Sequence, residues 1–481
     1  MAEGSAAQLV VGFDLDLTLI DTAAGFMAVM EVLGAELGVD FPAEEMSTQL
    51  GPPLDLMLQP HLPAEQIAGA GDRFRALYPD HAIAPTPALP GVIDALAAVR
   101  AEHGRILVVT GKYEPNAQLH VEHLGLDVDV VKGWVWGEAK GAVLAEHGAS
   151  IYVGDHVHDV EGARAAGVTS VSVLTGGSTR EELLAAGTDV VLDDLTQFPA
   201  WLAEHLLTTR LAALEARLRE LGSVMVAFSG GADSAFLLAA AVRALGSDRV
   251  VAATAYSDAL PASERQPALD LAASLGVRVL TPRTEEMEKP GYVANDGDRC
   301  AFCKGELLDV LGPLAEQEGL AAVATGTNAD DARAGFRPGI VAAADRGAVT
   351  PLLDAGLTKA QVRAASRRWG LPTWDKPAAA CLSSRIAYGI EITPARLARV
   401  ERAEQAARDA FVAAGERVTD LRVRDLGERA RLEVDRALVG RVPASVLDAV
   451  RAAGFEDVEL DPLGFRSGSM NELLADPEQF R

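Results

Sequence analysis

The sequence predicts an α/β protein built on two parallel β-sheets, with a smaller α+β part at its C-terminal end. Three observations lead there. The chain has 481 residues, more than one ordinary domain and enough for two or three separate cores. Short apolar runs alternate with helical stretches, the pattern of buried parallel strands joined by crossover helices. Polar residues gather just after those runs, where open parallel sheets place their ligands.

Composition narrows the function classes. With 49% hydrophobic and 23% charged residues the chain is globular. It carries 43 basic against 69 acidic residues, a net charge of -26. That balance favours solubility and argues against broad adhesion to nucleic acid or an anionic membrane. Anionic ligands must then be met locally, by helix N-termini, loop amides and single arginines. The opening MAEGSAAQLVVGFDLD has no basic segment before a long apolar run, and no stretch elsewhere approaches a membrane span, so a cytoplasmic protein is expected. Three cysteines, an odd and small number, speak against a disulfide framework.

In the first half, LVVGFDLD, RILVVTG, SIYVGD and TSVSVL read as buried strands. Asp14 and Asp16 end the first, Thr110 ends the second, and Asp155 and Asp159 follow the third, with Lys140 opening the helix between. Four carboxylates, a lysine and a hydroxyl on one sheet rim suit phosphoryl transfer. One carboxylate attacks phosphorus, while others hold a divalent cation that offsets charge on the phosphoryl oxygens. Two apart on an extended strand end, Asp14 and Asp16 both reach one site, one as nucleophile and one as acid/base. Taken singly, each aspartate reads equally as a strand-end turn residue.

The segments DLDLT, VVTG, EAKG and GDHVHD resemble the four motifs of the haloacid dehalogenase superfamily of phosphatases, over roughly residues 8 to 200. The resemblance implies a Rossmann-like core over 1–21 and 86–200 and a helical cap over 22–85 that selects substrate, as in phosphoglycolate-phosphatase-like members. It makes Asp14 the nucleophile and Asp16 the acid/base, sets Thr110 and Lys140 on the phosphoryl group, and places Mg²⁺ on Asp14, Asp16, Asp155 and Asp159. Leu17 stands where many members carry glycine. Lys112, directly after the threonine motif, rivals Lys140; His156 and His158 read as solvated loop residues.

Residues 201–222 form a charged amphipathic connector helix, and a new pattern follows. In SVMVAFSGGADSAFLL a strand runs into Ser229, Gly230, Gly231, Ala232, Asp233 and Ser234, and a long apolar helix begins at once. The glycines let successive amides face one anion, and the helix N-terminus adds its positive end. The P-loop lysine is missing. SGGADS resembles instead the pyrophosphate loop of ATP pyrophosphatases. That implies an adenine nucleotide α-hydrolase-like sheet domain over 205–385, with RVVAATA, VRVLTP and LAAVATG as further strands, and a C-terminal substrate or oligomerisation part over 386–481.

DRCAFCKGE contains Cys300 and Cys303; Cys381 is the third cysteine. Two cysteines three apart leave open a redox pair, half of a zinc site, part of an iron-sulfur site, or chance. A structural zinc site needs four ligands, usually Cys or His, yet all nine histidines lie at or before His205.

With GTNADDARAGFRPG, PLLDAGLTKAQVR, GLPTWDKPAAACLSSRIAYG and GFRSGSMNE, these segments resemble the LarE family of ATP-dependent sulfur transferases, over about residues 205 to 475. The resemblance implies ATP and Mg²⁺, a small-molecule nucleotide substrate, and a homo-oligomer. The substrate would be pyridinium-3,5-biscarboxylic acid mononucleotide, whose carboxylates are adenylated and then thiolated on the way to the nickel-pincer nucleotide cofactor. One branch sacrifices a single cysteine at the position of Cys381. Another has three, at positions like Cys300, Cys303 and Cys381, and holds a 4Fe-4S cluster fed by a sulfide source. Soft thiolates suit such a cluster, and it is the expectation here, with sacrificial Cys381 the alternative.

The same resemblance places Asn328, Asp330 and Asp331 on a strand-end loop facing ATP, Mg²⁺ or substrate. Ser384 and Arg385 follow the third cysteine, the arginine's planar fork suiting a carboxylate or phosphate. Glu404, on the next helix, matches a family position that assists the chemistry. Arg422 and Arg424 alternate along a strand and would clamp the substrate phosphate. A surface salt bridge is the competing reading for each of these residues alone. Arg333 and Arg337 sit in a segment that departs from the family's wording and receive no role. The rival activity is a tRNA-thiolating ATP pyrophosphatase, disfavoured by the acidic charge and the missing basic appendage. For the first half the rival is a non-catalytic scaffold.

Overall fold

A computed structural model describes residues 8–48, 50, 53–333, 338–377, 381–466 and 469–470. It divides into two compact units, one ending at Leu206 and the other beginning at Leu207.

The first unit is built on a six-stranded sheet: β1 (Val10–Phe13), β2 (Arg105–Val109), β3 (Val130–Lys132), β4 (Ile151–Gly154), β5 (Thr169–Val173) and β6 (Val190–Leu192). The order is β3-β2-β1-β4-β5-β6, all parallel. Phe13 lies beside both Val108 and Val153, so the carboxyl ends of β1, β2 and β4 finish along one rim. Side chains alternate across the sheet. Val11, Phe13, Ile106 and Val108 enter one core layer with Leu96 and Phe198, while Val10, Leu107 and Val109 enter the other with Leu144 and Tyr152. Burial on both faces explains the uninterrupted apolar runs. Strands β3 and β6 go beyond the four runs legible in the sequence. Each is three residues long and only partly buried at a sheet edge, too short for a periodic signal, and β3 makes the strand before Asp155 the fourth in the chain.

Between β1 and β2 lie the helices Ala23–Leu37, Ala43–Ser47, Leu54–Leu58 and Ala64–His81. They form a cap with its own core, in which Phe26, Met30, Leu33, Phe74, Leu77 and Tyr78 meet.

The second unit has a parallel four-stranded sheet of β7 (Val224–Ala227), β8 (Val250–Ala253), β9 (Arg278–Leu280) and β10 (Ala322–Ala324), in the order β10-β7-β8-β9. Val224 and Val226 pack with Phe236 of the helix Ala232–Leu245 on one face. Met225 and Val251 pack with Leu308 and Leu311 of the helix Arg299–Gln317 on the other. A smaller sheet follows, β11 (Leu421–Asp425) antiparallel to β12 (Arg429–Val434) and β12 parallel to β13 (Asp457–Leu460). The helices Pro394–Ala413 and Ala444–Ala452 supply Phe411 and Val446 to its core. The helix Phe198–Leu221 contributes Phe198, Leu202 and Leu206 to the first unit's core and Leu207, Leu214 and Leu218 to the second's. Among the described residues no helix is long and apolar enough to cross a membrane.

Candidate active sites

Asp14 follows β1 directly and is fixed by its backbone N–H, which donates to Val153 O at 2.8 Å. Asp155 follows β4, and Asp159 is in the first turn of the helix Val157–Ala166. One carboxylate oxygen from each of these three buried aspartates lies within 4.8 Å of the others. Lys140 Nζ donates to Asp14 Oδ1 at 2.9 Å, to Asp159 Oδ1 at 2.6 Å and to Tyr152 Oη at 3.0 Å. Burial raises the Asp14 carboxyl to about 7; Lys140 pulls it down, while Asp159 and Asp16 push it up. Burial also holds Asp155 well above the usual carboxylate range, reinforced by Asp159 and Asp14. For Lys140 burial works against the charge, yet Asp14 and Asp159 outweigh it and keep the ammonium charged. Three crowded oxygen donors that repel one another fit a hard divalent cation such as Mg²⁺, which would relieve that repulsion.

Asp16 stands outside this set of oxygens. Its Oδ1 accepts from Lys112 Nζ at 2.6 Å, apart from the three oxygens that lie together. Leu17 is left-handed at φ 55° and its N–H donates to Ile20 O at 2.8 Å. That conformation is one glycine adopts without strain, the physical sense of the glycine common at this place in the family. The two candidate lysines thereby separate, Lys140 among the cation-site carboxylates and Lys112 on Asp16. Lys112 also lies 4.7 Å from the ring centroid of Tyr78 in the cap, whose Oη meets His120 Nε2 at 2.9 Å. Thr110 is buried just beyond β2. His156 caps the helix that carries Asp159, accepting from His158 N at 3.3 Å, and His158 pairs with Glu161 at 2.7 Å.

In the second unit, β7 leads into the Ser229–Ser234 turn. Gly230 is left-handed at φ 72°, which glycine adopts without strain. Ser229 N donates to Ser234 Oγ at 3.3 Å, and Ser234 Oγ donates to Gly231 O at 3.2 Å, closing the loop on itself. A cavity of about 500 Å³ opens beside it, lined by Ser229, Gly231, Asp233 and Ser234 and also by Cys303 and Cys381. Burial raises the Asp233 carboxyl and the nearby Asn328 amide draws it down, yet Asp233 Oδ1 and Asn328 Nδ2 close no hydrogen bond of good geometry. Such atoms are expected where a ligand completes the bonding.

Four cations on this cavity escaped the sequence: Lys304, Lys359, Arg363 and Lys376. Lys376 Nζ donates to Gly230 O at 2.9 Å, and Arg363 Nη2 donates to Lys376 O at 2.8 Å. A signal for two of them was present. Lys359 and Arg363 are four apart on the helix Lys359–Arg368 and therefore share a face. Asp330 and Asp331 belong to the short helix Ala329–Arg333 and not to a loop, because Asn328 Oδ1 accepts from their N–H groups at 3.0 and 3.2 Å. Asp331 lines the cavity; Asp330 accepts instead from Lys359 N at 2.7 Å. Arg333 reaches Asp330 at 3.8 Å, and Arg337 lies outside the described residues.

Cys300 and Cys303 occupy the first turns of the helix Arg299–Gln317, and Cys381 precedes the turn Leu382–Arg385. None is in a disulfide. Burial pushes the Cys303 thiol up, and negative charge on Cys381, Glu286 and Cys300 adds to the effect. Their sulfur atoms do not close into a set within 4.8 Å, as a single-ion site would. Three soft thiols near enough to oppose one another's ionisation fit, in donor type, a larger cationic iron-sulfur group.

Of the remaining expected residues, Arg385, Arg422 and Arg424 are buried, and Arg385 and Arg424 each meet a carboxylate away from the surface. Arg385 Nε donates to Glu404 Oε1 at 3.0 Å, and the same oxygen accepts from Val423 N at 3.1 Å. Ser384 Oγ and Arg385 Nη1 both donate to Cys381 O, at 2.7 and 3.0 Å. Arg424 Nη2 donates to Glu433 Oε2 at 2.7 Å. Arg422 lies over the Phe465 ring at 5.1 Å, and burial with Arg385 nearby lowers its guanidinium to about 10.

The sheet, the cap and the buried carboxylates with Lys140 define the first unit as a haloacid dehalogenase-like hydrolase domain, and residues 11–173 match that family. Tyrosine-protein kinase PtkA of Mycobacterium tuberculosis is 31% identical over 202 residues, 39% of this chain and 69% of PtkA. The chain belongs to the family of the pyridinium-3,5-bisthiocarboxylic acid mononucleotide synthase of Lactiplantibacillus plantarum. With that enzyme it shares 34% identity over 271 residues, 56% of this chain and 96% of the synthase. An uncharacterized protein of Synechocystis, slr1717, is 39% identical over 274 residues, 56% of this chain and 99% of slr1717.

Proposed function

We propose that the chain is a two-site enzyme. Its second unit is an ATP-dependent sulfur transferase acting on pyridinium-3,5-biscarboxylic acid mononucleotide, and its first is a Mg²⁺-dependent phosphomonoesterase. The observation that carries the first statement is the meeting of the Ser229–Ser234 anion loop with Cys303 and Cys381 on one cavity, in a chain of the synthase's family.

In the second unit a substrate carboxylate oxygen attacks the α-phosphorus of ATP. The bond from that phosphorus to the bridging oxygen breaks, and pyrophosphate departs against the amides of Gly230 and Gly231. Lys359, Arg363 and Lys376 offset its charge, and Asp233 with Asn328 completes the nucleotide or Mg²⁺ contacts. A sulfur nucleophile then attacks the activated carboxyl carbon, and AMP leaves with the former carboxyl oxygen. Ser384 and Arg385 hold the Cys381 carbonyl in place, and Glu404 acts through Arg385. Arg422 and Arg424 serve the substrate phosphate. Cys300, Cys303 and Cys381 would hold a 4Fe-4S cluster, a group that supplies sulfide from an external source without consuming the protein. Sacrifice of the Cys381 sulfur is the competing route.

In the first unit an Asp14 oxygen attacks phosphorus as the bond to the leaving oxygen breaks. Asp16, held by Lys112, protonates that oxygen and then takes a proton from the water that releases phosphate. Thr110 and Lys140 bind the phosphoryl oxygens. Mg²⁺ on Asp14, Asp155 and Asp159 would supply charge neutralisation. The protein is proposed to be cytoplasmic and homo-oligomeric, and light scattering should give a multiple of the chain mass.

The test is anaerobic incubation with ATP, Mg²⁺, sulfide and the dicarboxylate mononucleotide, followed by mass spectrometry. AMP and a thiocarboxylate are expected in equal amounts. Absence of both from iron-replete protein would overturn the sulfur transferase reading. An iron-free, active protein whose Cys381 loses the elements of H₂S would decide for sacrifice.

A further inference from the structure

The cavity above Asp14, about 380 Å³ in volume, has two unlike ends. One end is ionic, made by Asp14, Asp155, Asp159 and Lys140, with Lys112 and Asp16 beside them. The other is aromatic. Trp134 and Tyr113 line it with relative exposures of 64% and 39%, their rings 5.5 Å apart. From the cap, Phe74 joins the lining and Arg75 lies 5.6 Å from the centroid of the Trp134 indole. A small aliphatic phosphate would fill the ionic end and leave these rings in water.

The exposed indole is also held at a cost. Trp134 is left-handed at φ 58°, a conformation that crowds the β-carbon of an L-residue. Two backbone bonds enforce it: Trp134 N donates to Lys112 O at 2.8 Å and Val135 N donates to Thr110 O at 3.0 Å. The ring is therefore positioned by the same Thr110–Lys112 segment that faces the phosphoryl group. Strain of this kind persists where the surrounding structure over-determines it, characteristically at ligand sites.

We propose that the first unit acts on a small phosphomonoester carrying a flat aromatic or heteroaromatic ring. The phosphate lies on Asp14 and Lys140, and the ring lies against Trp134 and Tyr113. Arg75 approaches the same rings from the cap and offers a cation to a π-face or to an anionic substituent. This rests on the phosphomonoesterase reading above and adds the substrate class to it. A free mononucleotide and a phosphotyrosine share the required chemistry.

The whole chain with Mg²⁺ is assayed on nicotinic acid mononucleotide, phosphotyrosine, glycerol 3-phosphate and phosphoglycolate. At least one ring-bearing ester should exceed both ring-free esters in kcat/KM by about tenfold, some 1.4 kcal/mol, and the faster of the two identifies the source. Trp134→Ala should collapse that ratio, and Trp134→Phe should restore part of it. Titrating nicotinic acid mononucleotide into Asp14→Asn protein should quench indole fluorescence, and the quench should vanish in the Asp14→Asn, Trp134→Phe double variant. Ring-free esters turned over as fast, or an unchanged ratio in Trp134→Ala, would overturn the proposal. If Asp14→Asn left turnover intact, the nucleophile assignment would fall instead, and the quench would still decide on the ring.

Discussion

Around Asp14 the charges answer one another inside the protein: Lys140 lies between Asp14 and Asp159, and Lys112 pairs with Asp16. Around Gly230 the arrangement is looser. Asp233 Oδ1 and Asn328 Nδ2 are buried near each other without closing a hydrogen bond of good geometry, and of the lysines lining the cavity Lys376 pairs with Glu264 on the same wall. Under the proposed function the first site would need chiefly a cation, and the second a polyanionic ligand that meets the cations on its wall. Its arginines do not share that openness, since Arg385 and Arg424 are engaged with Glu404 and Glu433.

The largest expected effect separates the two chemistries. Asp14→Asn should lower phosphomonoester turnover about a thousandfold, because no neighbouring carboxylate replaces a nucleophile, while AMP formation stays within about twofold. Asp233→Ala should do the converse, and loss of both activities in either variant would break the proposed independence of the sites. Next in size, Lys376→Ala removes the bond to Gly230 O and leaves the Glu264 carboxylate on the wall without its cation, so KM for ATP should rise about tenfold with kcat little changed. A fall confined to kcat would move Lys376 from binding to chemistry.

A smaller effect is pH-dependent and belongs to His120, on the helix Glu114–His123, where it meets Tyr78 of the cap. Burial, together with the nearby Lys112, lowers His120 from 6.5 to about 4. Between those values the unfolded chain takes up a proton that the folded unit refuses. The His120 contribution to the first unit's stability should therefore be fully present above about pH 6.5 and decline as the pH falls toward 4, by up to about 1.4 kcal/mol per unit, against the opposite slope of Asp14 and Asp155, whose raised carboxyls take up protons in the folded unit. It is read as the difference between the parent and His120→Asn in urea unfolding at pH 7 and pH 5; the variant should lose less, or gain more, on acidification, and an equal slope in the two proteins would overturn the assignment. Smallest of all, Leu17→Gly should change unfolding free energy by no more than about 1 kcal/mol, since relief of the left-handed strain is offset by a more flexible unfolded chain.

Much of this was readable from sequence because parallel strands buried on both faces announce themselves, and because their ends carry the chemistry. Asp14, Thr110, Asp155 and the Ser229–Ser234 loop each follow such a strand directly. What stayed hidden depends on distant segments meeting. Nothing in the spacing of Lys304, Lys359 and Lys376 shows that they share a cavity, and the Arg385–Glu404 and Arg424–Glu433 pairs look like surface charges until the fold buries them. The pairing of Asp16 with Lys112, ninety-six residues on, was likewise invisible in the spacing. Strands β3 and β6 were too short and too exposed to register.

Gly326, just beyond β10, has a consequence for the nucleotide loop. A β-carbon there would lie 2.9 Å from Ser234 N, in a place with no room for it. A methyl group at this position would act as a wedge driven from behind, prising the start of the Ala232–Leu245 helix away from its neighbour strand. Gly326→Ala would thus press on the last residue of the Ser229–Ser234 loop.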